Sequence, residues 1–179
     1  WTLDIKTGEA RLSASAQHTE TAKEKTSFQI AEKWRPEYDV RADVAILYGM
    51  NNTFHDRFVS WKERGYTIQF MTGVAWGNYQ DYFHGRFDGK THFDEQQTDI
   101  KGHIIGHGAD VPYIMPTASY ANYMKTQVKK AIDEGVTAIY LEEPEFWARG
   151  GYSEGFKREW QQFYGFPWMP QDASPEATY

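Results

Sequence analysis

The sequence reads VAILY at residues 44–48. A continuous apolar run this short, with β-branched members, is typical of a strand that is buried on both faces of a parallel sheet. Thr53 then marks a helix start, and Gly65 marks the place where that helix would be capped. The apolar side chains that recur between them at helical spacing are Phe54, Phe58 and Trp61. Residues 44–65 are therefore predicted to form a strand followed by a helix.

The same pattern recurs three more times along the chain. Apolar runs at TIQFM (67–71), VPYIM (111–115) and TAIYL (137–141) predict three further strands. Parallel strands need crossover connections of about a dozen residues or more, usually a helix, so this alternation indicates a parallel sheet covered by helices. The predicted fold class is α/β.

Two more helices have start and stop signals. Thr117 or Ser119 can cap a helix that ends at Gly135, and Ser153 opens a helix that stops at Gly165. The predicted apolar face of the first helix comprises Tyr120, Tyr123, Met124, Val128, Ala131 and Ile132. The predicted apolar face of the second comprises Phe156, Trp160, Phe163 and Tyr164. Both faces are predicted to pack in the core.

Four such units fit either an open doubly wound sheet or half of a (β/α)₈ barrel. A dinucleotide-binding sheet would carry a glycine-rich turn after its first strand, whereas residues 48–56 contain a single glycine. A full barrel takes about 250 residues. We therefore expect a polar edge segment over residues 1–40 and the first half of a (β/α)₈ TIM barrel over residues 41–179. The start at Trp1 and the turn-rich end at 168–179 fit a fragment, with the remaining half of the barrel in the same polypeptide.

The composition excludes several classes of protein. Of 179 residues, 25 are acidic and 19 are basic, and the formal net charge of −6 argues against a nucleic-acid partner. No apolar run approaches the roughly 20 residues that span a bilayer, so no membrane partner is expected. Cysteine is absent and no cofactor motif occurs, so no cofactor is expected. The 7 Trp, 12 Tyr and 11 Phe exceed ordinary core needs and indicate a flat, partly apolar ligand such as a sugar ring.

A long connection, from Thr72 to Asp110, separates the second predicted strand from the third. Such connections are usually functional, and this one is dense in Gly, His and aromatic residues, so we expect a folded active-site loop with a short helix. A metal-dependent hydrolase is one alternative, with His84, His103, His107 and Asp110 as ligands. The glycines around His103 and His107 argue against the helix that would align those two rings, and no metal is expected.

Three glutamates, Glu142, Glu143 and Glu145, follow the fourth predicted strand. Ligand sites in both α/β architectures lie at the carboxyl ends of the strands. Crowded carboxylates repel each other, which favours a protonated acid near neutral pH, the state that a general acid needs. These three residues are the catalytic candidates. The structural alternative is a set of solvated loop acids that pair with Arg149 or Lys157.

The other strand ends and the long connection carry amides, aromatic rings and a further carboxylate. Such groups hydrogen-bond sugar hydroxyls or stack on sugar rings. The substrate-binding candidates are Asn51, Trp76, Asn78, Asp81, His107 and Trp147. The structural alternatives are that the asparagines are helix-cap or turn residues and that Trp76 packs under the long connection.

The pair Glu143-Pro144 at the end of the fourth predicted strand resembles the Asn-Glu-Pro signature of the large retaining glycoside hydrolase clan built on a (β/α)₈ barrel. The resemblance covers residues 44–167 and implies that Glu143 is the general acid/base. Glu142 stands where the clan has Asn, so Glu142 and Glu145 stay open as alternatives for the acid. The resemblance also implies a nucleophilic carboxylate after strand seven, beyond residue 179.

The segments EEPEFW (142–147) and GFKREWQQFYG (155–165) are similar in style to large bacterial polysaccharide-degrading enzymes, among them glycoside hydrolase family 138. That resemblance implies a plant or algal carbohydrate substrate containing galacturonic acid, and a periplasmic or extracellular location. A galacturonate carboxylate would need a basic partner, and the candidates are Arg86, Lys90, Lys101 and Arg149. The remaining alternative is a non-catalytic carbohydrate-binding domain.

Overall fold

The computed structural model describes residues 2–3, 10–11, 25–77 and 79–170. Its strands are Thr2–Leu3 (β1), Ala10–Arg11 (β2), Ser27–Ile30 (β3), Val44–Tyr48 (β4), Thr67–Gly73 (β5), Gly106–Gly108 (β6), Val111–Pro112 (β7) and Ile139–Glu142 (β8). The main sheet has the order β3-β4-β5-β8, and all three of its strand pairs are parallel. β1 pairs with β2 and β6 pairs with β7 in separate antiparallel ribbons.

The helices are Phe54–Lys62 (α1), Gln80–Phe83 (α2), Ala118–Glu134 (α3) and Glu154–Tyr164 (α4), with 3₁₀ turns at Pro36–Tyr38 and Phe93–Glu95. The predicted ends of α3 and α4 are confirmed, whereas α1 ends at Lys62, before the predicted cap at Gly65. The Thr117 hydroxyl accepts a hydrogen bond from the Tyr120 amide at the start of α3, and Ser153 caps α4 in the same way. Gly135 and Gly165 end these helices in the left-handed conformation, at φ 97° and 76°.

The core lies on one face of the main sheet. Val44, Ala45, Ile46 and Leu47 of β4 are all buried, which confirms the prediction from the VAILY run. On one face, side chains of β4 and β5 pack against α1 and α3 in a single cluster that comprises Ala45, Leu47, Phe54, Phe58, Trp61, Tyr66, Ile68, Phe70 and Ala131. The predicted α1 stripe of Phe54, Phe58 and Trp61 is therefore part of the core.

The predicted third strand is wrong. Residues 111–115 do not join the main sheet, and β7 pairs instead with β6. The Ile114 amide donates to the Ala75 carbonyl and the Met115 amide to the Glu95 carbonyl, so this apolar run is buried inside the long connection. An apolar run has the same pattern in either setting, and Pro112 lacks the amide that a central strand needs. The fourth place in the sheet belongs to β3, so the sheet begins at Ser27, within residues 1–40.

The predicted face of α4 is also wrong. Its side chains Phe163 and Tyr164 are 82% and 52% exposed, and Trp160 is only partly buried. On α3 the residues Tyr120, Tyr123, Met124 and Ala131 are buried as predicted, whereas Ile132 is 56% exposed. Both helices are amphipathic, but part of each apolar face is exposed to solvent.

The opposite face of the main sheet is more polar. It carries Tyr48 of β4, Gln69 and Met71 of β5, and Tyr140 and Glu142 of β8, since these residues alternate with the core-facing ones. All five are incompletely buried, whereas Val44 and Ile46 of the same face are buried. Among the described residues, no helix is long and apolar enough to cross a membrane.

The long connection has a second core of its own. It is built from α2, α3 and the buried run before α3, and it comprises Tyr82, Phe83, Ile114, Tyr120, Tyr123 and Met124. The short helix expected inside the connection is α2. Aromatic rings dominate this cluster, and Tyr82 contacts both Tyr120 and Tyr123.

A buried carboxylate ties this second core together. Glu95 is 1% exposed, and its Oε2 atom accepts hydrogen bonds from the Tyr82 hydroxyl and, at 2.6 Å, from the Thr117 hydroxyl. Its Oε1 atom lies 3.1 Å from His92 Nδ1, and His92 Nε2 lies 3.0 Å from Asp88. The hydrogen bond from His92 holds the pKa of Asp88 below its ordinary value of 3.8. Because both ring nitrogens of His92 face carboxylates, this histidine has a structural role.

We predict that Gly155→Ala destabilises the protein. A Cβ atom at Gly155 would lie 2.7 Å from the Asp94 carbonyl oxygen and 2.8 Å from Glu95 Cγ, so α4 would have to move away from the 3₁₀ turn. Overpacking of this kind costs about 1–3 kcal/mol. Urea denaturation measures the loss. The control is Gly108→Ala, because no atom lies within 4 Å of a Cβ placed there; equal stability of the two variants would contradict the packing.

We also predict that the protein loses stability in alkali. Burial raises the pKa of Tyr82, Tyr120 and Tyr123 above the ordinary value of 10.0. A raised folded-state pKa means that this contribution to stability is fully present below about pH 10 and is lost as the pH rises further. Denaturation at about pH 9 and about pH 11 measures the difference, with tyrosinate absorbance as a second probe.

Tyr120→Phe is the matched variant for the alkaline prediction. The Tyr120 hydroxyl makes no hydrogen bond within the described part of the chain, so its removal costs no such interaction. Above about pH 10, the free energy of unfolding of this variant should fall less steeply with pH than that of the unsubstituted protein. Near neutral pH the two proteins should be equally stable. A free energy of unfolding that stays constant up to about pH 11 would contradict the burial of these hydroxyls.

Candidate functional site

The three glutamates lie at the carboxyl edge of the main sheet. Glu142 is the last residue of β8 and pairs in register with Gly73, the last residue of β5. Glu143 leaves the strand with φ 47°, a left-handed conformation that costs a non-glycine residue about 1–2 kcal/mol. Strain of this kind at a strand end is characteristic of functional positions.

Trp76 holds Glu143. Its indole Nε1 donates a hydrogen bond of 2.6 Å to Glu143 Oε2. Trp76 lies three residues beyond β5, so the parallel pairing of β5 with β8 brings the donor and the carboxylate together. Within the described part of the chain, Trp76 is the only residue that hydrogen-bonds the Glu143 carboxylate. The Oε1 atom of Glu143 makes no hydrogen bond there.

The Trp76 ring lies between two other aromatic rings. The His107 imidazole stacks on it with a centroid separation of 4.2 Å and an interplanar angle of 2°. The Tyr48 ring lies 6.4 Å from it at 28°. His107 Nδ1 is 3.1 Å from the Tyr113 hydroxyl, so the stacked imidazole is held in turn.

Glu142 and Glu145 flank Glu143 with buried, unsatisfied oxygens. The Oε2 atom of each makes no hydrogen bond to any described residue. The pKa of Tyr48 is raised above 10.0, first by burial and then by Glu142, which its hydroxyl faces. The pKa of Tyr113 is raised by burial and then by Glu145. Each of these buried carboxyl groups therefore has a tyrosine hydroxyl beside it, Tyr48 beside Glu142 and Tyr113 beside Glu145.

Gln97 positions the loop that carries Glu145 and Trp147. Its side chain is fully buried, and its Nε2 donates to the Glu145 carbonyl at 2.9 Å and to the Ile114 carbonyl at 3.3 Å. Its Oε1 accepts from the Trp147 amide at 3.1 Å. A single amide therefore joins the long connection to the glutamate loop.

Trp147 lies at the rim of this arrangement. Its side chain is 39% exposed and its ring meets the Tyr113 ring edge-on at 5.6 Å. The Arg149 guanidinium lies 5.5 Å from the Trp147 ring centroid. An exposed indole beside carboxylates can stack on a sugar ring.

Asn51 and Asp81 belong to a different cavity. Together with Lys130 they line a polar cavity of about 430 Å³. Asn51 Oδ1 accepts hydrogen bonds from the Thr53 amide and hydroxyl, which is the turn role foreseen as its alternative. Asp81 accepts from the Tyr123 hydroxyl at 2.7 Å. Asn78 lies outside the described residues.

The histidines considered as metal ligands do not share a site. His84 contacts the edge of Phe93, His103 bonds Asp99, and His107 stacks on Trp76. In the described ranges, no group of three or more His, Cys, Asp or Glu side chains lies close enough to hold a metal ion.

Three residues of the site were not foreseen: Tyr48, Gln97 and Tyr113. Tyr48 ends the first predicted strand, so its position at the carboxyl edge was a usable signal. The predicted strand at residues 111–115 places Tyr113 inside the main sheet, so its hydroxyl is not expected beside the glutamates. Gln97 has no signal in the sequence, because its role depends on carbonyls that are 17 and 48 positions away.

An apolar groove lies behind the glutamate loop. It has a volume of about 520 Å³ and runs along α3 and the outer edge of β8. Its apolar walls include Met124, Val128, Ile132, Leu141, Pro144 and Phe146. Leu141 is 60% exposed, although it lies on the core-facing side of β8.

Compared with protein-family models, with curated proteins and with solved structures, the chain shows no match. The geometry of its own residues therefore carries the functional argument.

We predict that Gln97→Leu loosens the glutamate loop. The substitution removes the donor to the Glu145 carbonyl and the acceptor for the Trp147 amide, which destabilises the protein by about 1–3 kcal/mol. Hydrogen exchange of the Trp147 amide should accelerate more than that of the core strand β4. The control is Gln161→Leu on the exposed surface of α4. Unchanged exchange at Trp147 would show that Gln97 does not hold the loop.

Proposed function

We propose that this chain carries the general acid/base of a retaining glycoside hydrolase and that Glu143 is that residue. The observation that carries the proposal is the position of Glu143, directly after the fourth strand of a parallel sheet and hydrogen-bonded by the Trp76 indole. A carboxyl group at this edge is where α/β enzymes act on their ligands.

Glu143 has the geometry for two successive proton transfers. Trp76 fixes Oε2, while Oε1 is left to face a glycosidic oxygen. As a carboxylic acid, Glu143 protonates the leaving oxygen, and as a carboxylate it then takes a proton from the water that releases the sugar.

The flanking groups supply the substrate contacts. Trp147 offers an exposed ring for stacking on a sugar. Glu142 takes the place of the clan's Asn beside the 2-hydroxyl. The aromatic groups at this edge fit the flat, partly apolar face of a sugar ring.

The sheet has features that support a (β/α)₈ barrel. The core helices α1 and α3 pack on one face, as the outer helices of a barrel do, and the other face carries the β-branched Val44 and Ile46, as a barrel interior does. The outer edge of β8 could pair with a following strand of the same polypeptide, and a following helix would cover the exposed Leu141. The nucleophilic carboxylate would then follow strand seven, about 5–5.5 Å from Glu143.

Arg149 is the favoured contact for a uronic acid. Its guanidinium lies 5.5 Å from the Trp147 ring centroid, so a sugar stacked on that ring would place a carboxylate near it. Arg86, Lys90 and Lys101 are exposed and lie outside the aromatic group around Trp76. In its specific form, the proposal is that the substrate is a plant or algal polysaccharide containing galacturonate. A periplasmic or extracellular location goes with that substrate.

We predict that Glu143→Gln in the full-length protein lowers kcat on pectic oligosaccharides by about 10²–10⁴-fold, because the amide cannot donate or accept the proton. The loss in the glycosylation step should be much smaller on a dinitrophenyl glycoside, whose leaving group needs no protonation. The control is Glu63→Gln, which is exposed at the end of α1.

Two outcomes would contradict the assignment. Full activity of Glu143→Gln would show that Glu143 is not the general acid/base. Parallel tests of Glu142→Gln and Glu145→Gln would then show which glutamate is the acid. Binding of oligosaccharides without any hydrolysis by the full-length protein would favour a non-catalytic carbohydrate-binding domain.

A further inference from the structure

We propose that His107 is a positioning residue for Glu143 that acts through Trp76, with Tyr113 fixing the imidazole. The kinetic consequence rests on the proposed function, whereas the structural coupling does not. Neither His107 nor Tyr113 needs to touch the reacting bond in this role.

The coupling begins with the indole of Trp76. Its N–H is the hydrogen-bond donor that orients Glu143 Oε2, and the direction of an indole N–H is set entirely by the plane and rotation of the ring. Trp76 lies in an irregular segment after β5, where a single isolated bridge to Tyr113 holds its backbone. Its side chain is only partly buried, so local packing has to select one orientation of the ring.

His107 supplies that packing. Its ring is parallel to the indole within 2° and only 4.2 Å away, so it covers one face of Trp76. The Tyr48 ring is farther from the same indole, with a centroid separation of 6.4 Å and an interplanar angle of 28°. Removal of the imidazole would expose an indole face to solvent and restore rotational freedom to the Glu143 donor.

The imidazole is held by a buried partner. Tyr113 is 5% exposed, and its hydroxyl lies 3.1 Å from His107 Nδ1. The strand β6, which carries His107, pairs with β7 immediately before Tyr113, so both members of this contact lie on one hairpin. Tyr113 also contacts the Trp147 ring edge-on, at 5.6 Å.

These contacts form one continuous chain across the site. It runs from Trp147 through Tyr113 and His107 to Trp76 and ends at Glu143. The hairpin therefore acts as a brace that sets the direction of the indole N–H.

The test follows the Trp76 indole proton in ¹H–¹⁵N spectra of this chain. Trp76→Phe identifies the signal by its disappearance, and Glu143→Gln should move it upfield because the charge-assisted hydrogen bond is lost. His107→Ala should move it in the same direction and raise its exchange rate at least about tenfold, which corresponds to about 1.4 kcal/mol of lost protection. His107→Phe should recover most of the lost protection, because a flat ring keeps the stack, but it should retain the smaller change expected of Tyr113→Phe because the phenyl ring cannot bond the Tyr113 hydroxyl. Tyr113→Phe should give an intermediate change.

His103→Ala is the control, because His103 lies on the same connection but is exposed and bonds Asp99. It should leave the indole proton unchanged. An unchanged indole signal in His107→Ala would overturn the proposal, and so would a change in His107→Ala that His107→Phe fails to reverse.

Kinetics of the full-length protein supply the second measurement. His107→Ala should lower kcat by about 10–100-fold with KM within about twofold, since a misdirected acid slows the chemical step more than it weakens binding. His107→Phe should recover most of the rate. If Glu143→Gln stays fully active, the assignment of Glu143 as the acid/base fails, while the indole spectra still decide whether His107 positions Glu143.

Discussion

The parallel pairing of β5 with β8 is the contact on which the rest of the site depends. Residues 74–138 separate the two strands, so their pairing closes a long loop and has to overcome the entropy of that closure. The pairing places Gly73 beside Glu142, and the residues just beyond each strand, Trp76 and Glu143, then meet at one edge of the sheet. A shift of register would separate this donor from its carboxylate.

The connection between these strands is a folded unit with its own buried polar groups. Glu95 joins α2 to the start of α3 through the hydroxyls of Tyr82 and Thr117. Gln97, two residues later, joins the same unit to the glutamate loop. Buried polar groups are costly when unpaired, so these bonds favour one arrangement of the connection over others. A rigid connection is needed here, because Trp76 and His107 both lie within it.

The aromatic residues divide by what surrounds them. Rings of α1 and the strands fill the first core, and rings of α2 and α3 fill the second. A third group, which includes Trp76 and Trp147, surrounds the glutamates. The rings of α4, such as Phe163, form a fourth group that is largely exposed and whose members contact one another. An excess of aromatics therefore predicts several environments at once, and only contacts distinguish them.

The sequence by itself determined the local elements and the edge of the sheet where the glutamates lie. Continuous apolar runs and helix caps depend on neighbouring residues, so the strand at VAILY and the caps at Thr117 and Ser153 were predictable. The tertiary structure decided which apolar run joins the sheet, because VPYIM is equally apolar inside the connection. It also decided the hydrogen-bond partner of Glu143, because Trp76 is 67 positions away in the sequence and no local pattern links the two residues. Local order follows from short-range sterics and periodicity, whereas the site follows from long-range register.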